Sequence, residues 1–260
     1  MSVFDLSKKT VLITGGAGLL GKMHAEAIVE HGGIAIVADI DIDSATKVAK
    51  DINKKYNCNR ARPIYIDVTN KQSIINISEV FPEINVLINN AAKNPVVNND
   101  GKVAGAFETM TLEEWNDGLN ISLTGVFLCS QVFAELFAKN NYGIIINISS
   151  DLGVHAPDQR IYTNGKKPIT YSASKFGIVG MTKYLATYYA EKNIRVNCLS
   201  PGGVYTNQPE DFVNRLTNLI PMRRMAKKDE YKGAIVFLCS EASTYMTGEN
   251  IVMNGGRAAW

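Results

Sequence analysis

Short apolar runs rich in β-branched residues alternate along the chain with longer stretches in which apolar residues return every three or four positions. The short runs cover residues 11–13, 34–38, 63–66, 86–88, 144–148, 195–199 and 251–253. Each is nearly continuous in apolar character, as expected of a strand covered on both faces. Helical spacing runs through 20–31 and 44–55, and Thr111-Leu112-Glu113-Glu114 has the form of a capping box opening a long helix. Strands alternating with helices predict an α/β fold with a doubly wound parallel sheet. No repeat, low-complexity tract or linker interrupts the series, so residues 1–260 are expected to form a single domain. Two polar segments rich in Gly, Pro and Asn, 94–105 and 154–170, are expected to be loops.

Composition narrows the function classes without changing this picture. A formal net charge of +2 provides no basic field for nucleic acid or a membrane surface. No unbroken apolar run approaches the roughly 18 residues of a membrane span, and the first ten residues lack the apolar core of a secretion signal. A cytoplasmic protein without membrane or nucleic-acid partners is the expectation. Cys58, Cys129, Cys198 and Cys239 form no C-x-x-C pair, and three of them sit in apolar runs, which predicts free buried thiols and no metal site.

The first feature that carries chemistry is the turn after the first apolar run. Val11-Leu12-Ile13-Thr14 leads into Gly15-Gly16-Ala17-Gly18-Leu19-Leu20-Gly21 and then into helical spacing. A strand, a glycine-rich turn and a helix start form a cradle for a pyrophosphate: glycine lets the backbone approach, and the helix N-terminus favours negative charge. Such turns also occur for purely structural reasons, but the β-α-β context favours dinucleotide binding. The candidate contacts in the loop are Gly15, Gly18, Leu19, Leu20 and Gly21. The second run ends at Asp39, 18 residues beyond Gly21, near the spacing at which a carboxylate accepts from the adenosine ribose hydroxyls. A carboxylate there repels a 2′-phosphate, residue 40 is Ile, and no basic residue lies between 14 and 21, so the expected cofactor is NAD rather than NADP. Asp41 is the alternative ribose contact, and an exposed turn aspartate is the plain structural reading.

Further motifs follow in a fixed order. They are Thr14-Gly15-x-x-Gly18-x-x-Gly21, Asp67-Val68, Asn89-Asn90-Ala91-Ala92, Ser149-Ser150, Tyr171-Ser172-Ala173-Ser174-Lys175, Pro201-Gly202 and Asn254-Gly255-Gly256. Over essentially its whole length the chain resembles the short-chain dehydrogenase/reductase family, single-domain Rossmann type. The Tyr-x-x-x-Lys pattern occurs three times, at Tyr162/Lys166, Tyr171/Lys175 and Tyr188/Lys192. Gly165 and Pro168 disfavour a helix around Tyr162, and Tyr188 falls near the end of the following helical stretch. Tyr171 lies 30 residues before Pro201, the separation that the family resemblance implies for the functional pair.

The resemblance implies hydride exchange between NAD(H) and a secondary alcohol or ketone. Tyr171 would be the general acid/base at the substrate oxygen, and Lys175 would hold the nicotinamide ribose and lower the tyrosine pKa. Moving a tyrosine from ~10 to about 7 takes roughly 4 kcal/mol of differential stabilisation. Ser150 would hydrogen-bond the same substrate oxygen, with Ser149 as its rival. Asp67 and Val68 would contact adenine, Asn89 and Ala91 the riboses, and Pro201, Gly202, Val204 and Thr206 the nicotinamide amide. For all of these, ordinary strand-end turn chemistry is the competing structural reading.

The chain departs from the family pattern in three places. The glycine spacing matches the family's longer, sugar-nucleotide-modifying branch, with Leu19 where the shorter branch usually has Gly. The position often held by an asparagine of a proton relay is Ser122, with Asn120 two residues earlier. The Ser150 to Tyr171 segment is longer than usual and carries Arg160, Lys166 and Lys167, which are candidates to receive an anionic substrate. His155 reads as a loop residue. The long loop, with 200–205 and 220–226, resembles the branch tied to bacterial surface-sugar and flagellin modification, which implies a sugar-like substrate.

Alternatives of another class are an NAD-binding regulator without turnover, and a sugar-nucleotide epimerase or dehydratase with retained NAD. The latter usually needs a further substrate domain. Helices over about 115–138 and 171–191 carry apolar residues on more than one face: Val126, Phe127, Phe133, Phe137, Tyr184, Leu185, Tyr188 and Tyr189. A homotetramer or dimer is therefore expected, with Trp260 docked.

Overall fold

The computed structural model describes residues 2–93, 106–163 and 165–259; the expected loop at 94–105 and the docking of Trp260 lie outside them. Along the chain the elements are β1 (Thr10–Thr14), α1 (Gly21–Glu30), β2 (Ile34–Asp39), α2 (Ile42–Tyr56), β3 (Ala61–Tyr65), α3 (Lys71–Val80), β4 (Val86–Asn89), α4 (Leu112–Leu119), α5 (Gly125–Lys139), β5 (Gly143–Ile148), α6 (Ile169–Tyr188), β6 (Ile194–Pro201), α7 (Glu210–Asn218), α8 (Lys232–Cys239) and β7 (Asn250–Met253). Every apolar run singled out above lies on a strand, with ends within two residues.

The strands form one sheet in the order β3-β2-β1-β4-β5-β6-β7, and every pairing is parallel. Alternation along each strand divides the core in two. Val11, Ile13, Val37, Ile88 and Ile146 pack with α1, α2 and α8. Leu12, Ile36, Leu87, Ile145 and Val196 pack with α3, α5 and α6 on the other face. Coverage of both faces is why these strands read as unbroken apolar runs. Pro63 is tolerated because β3 is an edge strand. The order reverses between β1 and β4, so their connections leave toward opposite faces and a crevice opens at the carboxyl ends of the strands.

Local signals set the helix starts. The Asp41 side chain accepts from the Ser44 amide at the head of α2, and Asn70 caps α3. Thr111 and Glu114 form the expected capping box on α4. A π-helical turn, Asn120–Thr124, joins α4 to α5. Together they make one 28-residue helix, long and apolar enough by length and composition to cross a membrane although the sequence has no unbroken apolar run of that length. Here Phe133 and Phe137 are fully buried in the core, and half of its most apolar window is covered by the protein. The four cysteines are free; Cys129, Cys198 and Cys239 are buried and Cys58 is half-buried.

One core residue is chemically out of place. His24 on α1 is fully buried, and neither ring nitrogen has a hydrogen-bond partner among the described residues. Burial pushes its pKa down from 6.5 to about 3. The unfolded chain therefore binds a proton between pH 6.5 and 3 that the folded chain refuses, and stability falls as pH drops through that window. His24→Met keeps the volume and removes the titration. Between pH 7 and pH 5 the wild type is expected to lose about 2 kcal/mol that the variant does not. Urea unfolding of both proteins at the two pH values checks this, and equal losses would assign the acid sensitivity elsewhere.

Candidate active site

A cleft of about 730 Å³ opens at the carboxyl ends of the strands, bounded by the β1–α1 loop, the ends of β2, β4, β5 and β6, the start of α6, and α7. Gly15 adopts a φ of 60°, and a Cβ there would approach the Ala91 Cα to 2.9 Å. A Cβ on Gly21 would collide with the Gly15 carbonyl oxygen. The loop thus folds back on itself and on the end of β4, which only glycine allows at these two positions. The Asn90 Nδ2 donates to the carbonyls of Thr14 (3.0 Å) and Gly15 (2.9 Å), while the Thr14 hydroxyl accepts from the amides of Asn90 and Ala91, both at 3.0 Å.

Helix α1 opens without a side-chain cap and without an acidic residue in its first turn, an arrangement that fits a bound pyrophosphate. Asp39 also lines the cleft. Its Oδ2 accepts from the Ala17 amide at 3.0 Å and its Oδ1 from the Asp41 amide at 3.1 Å, so the carboxylate is held beside the glycine loop. Asp41 is occupied as the cap of α2. Glycine cradle, uncapped helix and fixed carboxylate together fit a dinucleotide.

Ser150, Tyr171 and Lys175 converge on the other part of the cleft. Tyr171 lies in the first turn of α6 and Lys175 one turn later on the same face. The Lys175 ammonium donates to the Ile148 carbonyl (3.0 Å) and sits 5.7 Å from the centroid of the Tyr171 ring. Burial brings its pKa down to about 8. Burial also pushes the Tyr171 phenol above its ordinary value; the Ser150 hydroxyl opposes that shift and the Asp151 carboxylate adds to it. The side chains alone therefore move Tyr171 in the direction opposite to the one expected, because Tyr171 is desolvated together with its cation.

Asp151, next to the predicted serine, is the centre of a polar cluster. Its Oδ1 accepts from the Ser150 hydroxyl at 3.1 Å. Its Oδ2 lies 3.2 Å from Arg257 Nη1 and 3.5 Å from His155 Nε2. Burial acts to raise the Asp151 pKa, but His155, Arg257 and Ser150 outweigh it and hold the carboxylate low. The neighbouring Asp151 carboxylate correspondingly raises the His155 pKa.

Among the predicted site residues, Gly15, Gly18, Leu19, Leu20, Asp39, Asp67, Val68, Ala91, Ser150, Tyr171, Lys175, Pro201, Gly202, Val204 and Thr206 all line this cleft. Gly21 is packed beneath the loop. Asn89 points into the core, donating to Ser130 Oγ (3.0 Å) and Asn147 Oδ1 (2.9 Å), and the next residue, Asn90, faces the loop instead. Ser149 bonds the Lys175 carbonyl at 2.8 Å, which leaves Ser150 on the open side.

Ser122 is buried and accepts from the Lys93 amide at 3.1 Å, while Asn120 is exposed. Of the three loop cations only Lys167 lines the cleft. Arg160 is exposed and paired with Asp158, and Lys166 is exposed. Tyr162 lies on the far wall beside Phe212, and Tyr188 is on the surface. The sequence reading did not single out Asn90, Asp151 or Arg257.

The family model described as Enoyl-(Acyl carrier protein) reductase matches residues 16–258. The chain is similar to the 3-oxoacyl-(acyl-carrier-protein) reductase of Aquifex aeolicus: 32% identity over 256 residues, 96% of this chain and 98% of that protein. It is also similar to the post-translational flagellin modification protein A of Campylobacter coli: 31% identity over 257 residues, 96% and 98% of the two chains. Among solved structures, a short-chain type dehydrogenase/reductase from Mycobacterium marinum matches with a TM-score of 0.88 at 31% identity, covering 100% of both chains.

The burial of Lys175 has a thermodynamic consequence. Its folded pKa of about 8 lies below the ordinary 10.5, so the folded chain binds fewer protons between those values. The penalty is full below pH 8 and fades as pH rises to 10.5. Removing the ammonium recovers about 3 kcal/mol and loses about 1 kcal/mol with the Ile148 hydrogen bond. Without added dinucleotide, Lys175→Met is expected to melt about 5 °C higher than wild type at pH 7, with a smaller gain at pH 10. A lower Tm at pH 7 would contradict the assignment of a buried, costly cation.

Proposed function

This chain belongs to the short-chain dehydrogenase/reductase family, and we propose that it interconverts a secondary alcohol and a ketone on a small polar molecule, with Tyr171 moving the proton at the substrate oxygen. Family membership makes it an oxidoreductase that binds a nicotinamide cofactor and acts on a small-molecule substrate. The observation that carries the finer reading is the convergence of Ser150, Tyr171 and Lys175 on one side of a cleft whose other side is the glycine cradle.

When bound in the glycine cradle, a nicotinamide dinucleotide would supply or accept the hydride. Tyr171 gives its proton to the ketone oxygen in reduction and takes it back from the alcohol in oxidation. Its raised pKa keeps it protonated until a cation favours the phenolate. Lys175 is the nearby ammonium, aimed by the Ile148 carbonyl. Ser150 lines the cleft with Tyr171 and holds the substrate oxygen. Asp39 supports NAD as the cofactor: a fixed carboxylate followed by Ile40 disfavours a 2′-phosphate. A sugar-like molecule is one member of the polar substrate class, which the charged residues Asp151, Lys167 and Arg257 around Tyr171 support.

We also read the protein as a homo-oligomer. Val126 of α5 and Ile178 of α6 pack together. The outer surface of these two helices exposes Phe127, Phe176, Tyr184 and Tyr188, from 47% to 65%. Large apolar side chains on two helices favour a self-complementary interface.

NADH formation followed by absorbance, across hydroxyl and keto compounds with NAD and NADP in parallel, is expected to give turnover with NAD. Tyr171→Phe should lower it by about 10²–10⁴-fold. A preference for NADP would sink the Asp39 argument, and an undiminished variant would shift attention to Tyr162. Light scattering at micromolar concentration should give a dimer or tetramer that Tyr184→Glu/Tyr188→Glu dissociates; a monomeric wild type would contradict the oligomer reading.

A further inference from the structure

The Ser150 hydroxyl has one proton, and its neighbours decide where that proton points. A serine hydroxyl offers one donor and two acceptor sites. The Leu152 amide can only donate, and it takes one acceptor site at 3.2 Å. Asp151 is held ionised by its surroundings, and an ionised carboxylate can only accept. Its Oδ1 lies 3.1 Å from Ser150 Oγ. The proton of Ser150 therefore points to Asp151, and one lone pair is left toward the cleft. Asp151 is 3% exposed, and such burial strengthens the bond.

The carboxylate is itself held in one orientation. Its Oδ2 lies 3.2 Å from Arg257 Nη1 and 3.5 Å from His155 Nε2, which leaves Oδ1 to the serine. Arg257 comes from the segment after β7 and His155 from the 154–170 segment, so two segments distant in the chain fix one acceptor. Ser150 and Asp151 act on Tyr171 in opposite senses: the hydroxyl eases ionisation of the phenol and the carboxylate resists it. A hydroxyl assists a phenolate by donating to it. One whose proton lies on Asp151 has none to donate.

We infer that Asp151 is a positioning residue for the redox centre: by taking the proton of Ser150 it turns an acceptor toward the cleft, and so keeps Tyr171 in its phenol form, ready to protonate a ketone. The inference rests on the redox reading of the same cleft and adds to it the residue that sets the resting protonation state. In reduction Tyr171 gives its proton to the ketone oxygen, and that oxygen competes with Asp151 for the proton of Ser150. A neutral carbonyl is a weaker acceptor than a carboxylate, whereas an oxygen gaining negative charge becomes its equal. The bond from Ser150 to the substrate thus strengthens as charge develops, which is where binding accelerates a reaction.

Other titratable groups face this pair: Tyr162, His155 and Lys167 from the 154–170 segment, Lys175 on α6, Arg257 after β7, and Tyr231 ahead of α8. Their effect on Tyr171 does not pass through Ser150, so a double-mutant cycle separates it. The cycle compares wild type, Asp151→Ala, Ser150→Ala and the double variant, without cofactor or substrate. Ionisation of Tyr171 is followed by carbon NMR of tyrosine labelled at Cζ, with the signal assigned among the 11 tyrosines by Tyr171→Phe. Asp151→Ala should lower the Tyr171 midpoint by about one pH unit, tenfold in the ionisation constant. With Ser150 already replaced by alanine, the same substitution should give about a third of that shift or less. Equal shifts in both backgrounds, or no shift in either, would overturn the inference. Asp151→Asn, close in shape, repeats the cycle if Asp151→Ala does not fold; its shift should be smaller, in the same direction and equally dependent on Ser150, and a shift independent of Ser150 would again overturn the inference. Turnover in the NADH assay without this coupling would remove the role of Asp151 alone. Coupling without NADH from any hydroxyl compound would instead count against the redox reading.

Discussion

The site depends on how closely α6 lies against the end of β5. The Ser149 hydroxyl donates to the Lys175 carbonyl at 2.8 Å, and Lys175 returns a bond to the Ile148 carbonyl at 3.0 Å. Gly153 allows this approach, since a Cβ there would stand 2.7 Å from the Lys175 oxygen. Deeper in, Asn147 Nδ2 donates to Thr182 Oγ1 (2.9 Å) while its Oδ1 accepts from Asn89. Asn89 donates in turn to Ser130 on α5. Buried amides and hydroxyls are costly when unpaired, and apart from Asn89 Oδ1 this network pairs them. This network therefore fixes α5, α6, β4 and β5 against one another far more sharply than apolar contact does. Tyr171, Lys175, Ile178 and Thr182 fall on one helical stripe, and the reactive pair is placed by the same face that packs the helix.

That placement has an electrostatic consequence. Desolvation disfavours each charged form separately, so the ammonium of Lys175 is weakened to about 8 and the phenol of Tyr171 is made harder to ionise. Neither group is a ready base or a firm cation alone. Lys167, also brought to about 8 by burial, stands over the ring face of Tyr171 and extends the same logic to the substrate side. A site of this kind gives up stability at neutral pH, which is the origin of the gain expected for Lys175→Met.

The parts readable in the sequence were those determined by local pattern. Continuous apolar runs marked the strands because both sheet faces are covered. Gly165 and Pro168 separated Tyr171 from Tyr162. Where side-chain direction at a strand end decided the outcome, the pattern was silent: Asn89 and its neighbour Asn90 differ only in which side of the sheet they face. Arg160 had its partner two residues away in Asp158, a local capture that the emphasis on loop charge overlooked. Arg257 had no local mark, since its partner Asp151 is 106 residues distant in the chain. The lowering of the Tyr171 pKa was argued from charge, and burial, which is invisible in sequence, acts against it among the side chains.

The two ends of the cleft are built by different kinds of structure. The cofactor end rests on strand termini and the glycine loop, whose backbone is held by sheet hydrogen bonds and by Asn90. Displacing any of these leaves buried peptide groups unpaired. The end around Tyr171 is bounded by the 154–170 segment, α7 and the segment after β7, none of which belongs to the sheet. Yet these three are tied to one another and to Ser150: Arg215 to the Ile161 carbonyl, Tyr162 to Phe212, Arg257 to Asp151, and Asp151 to Ser150. Three segments on a rigid base can therefore change only together.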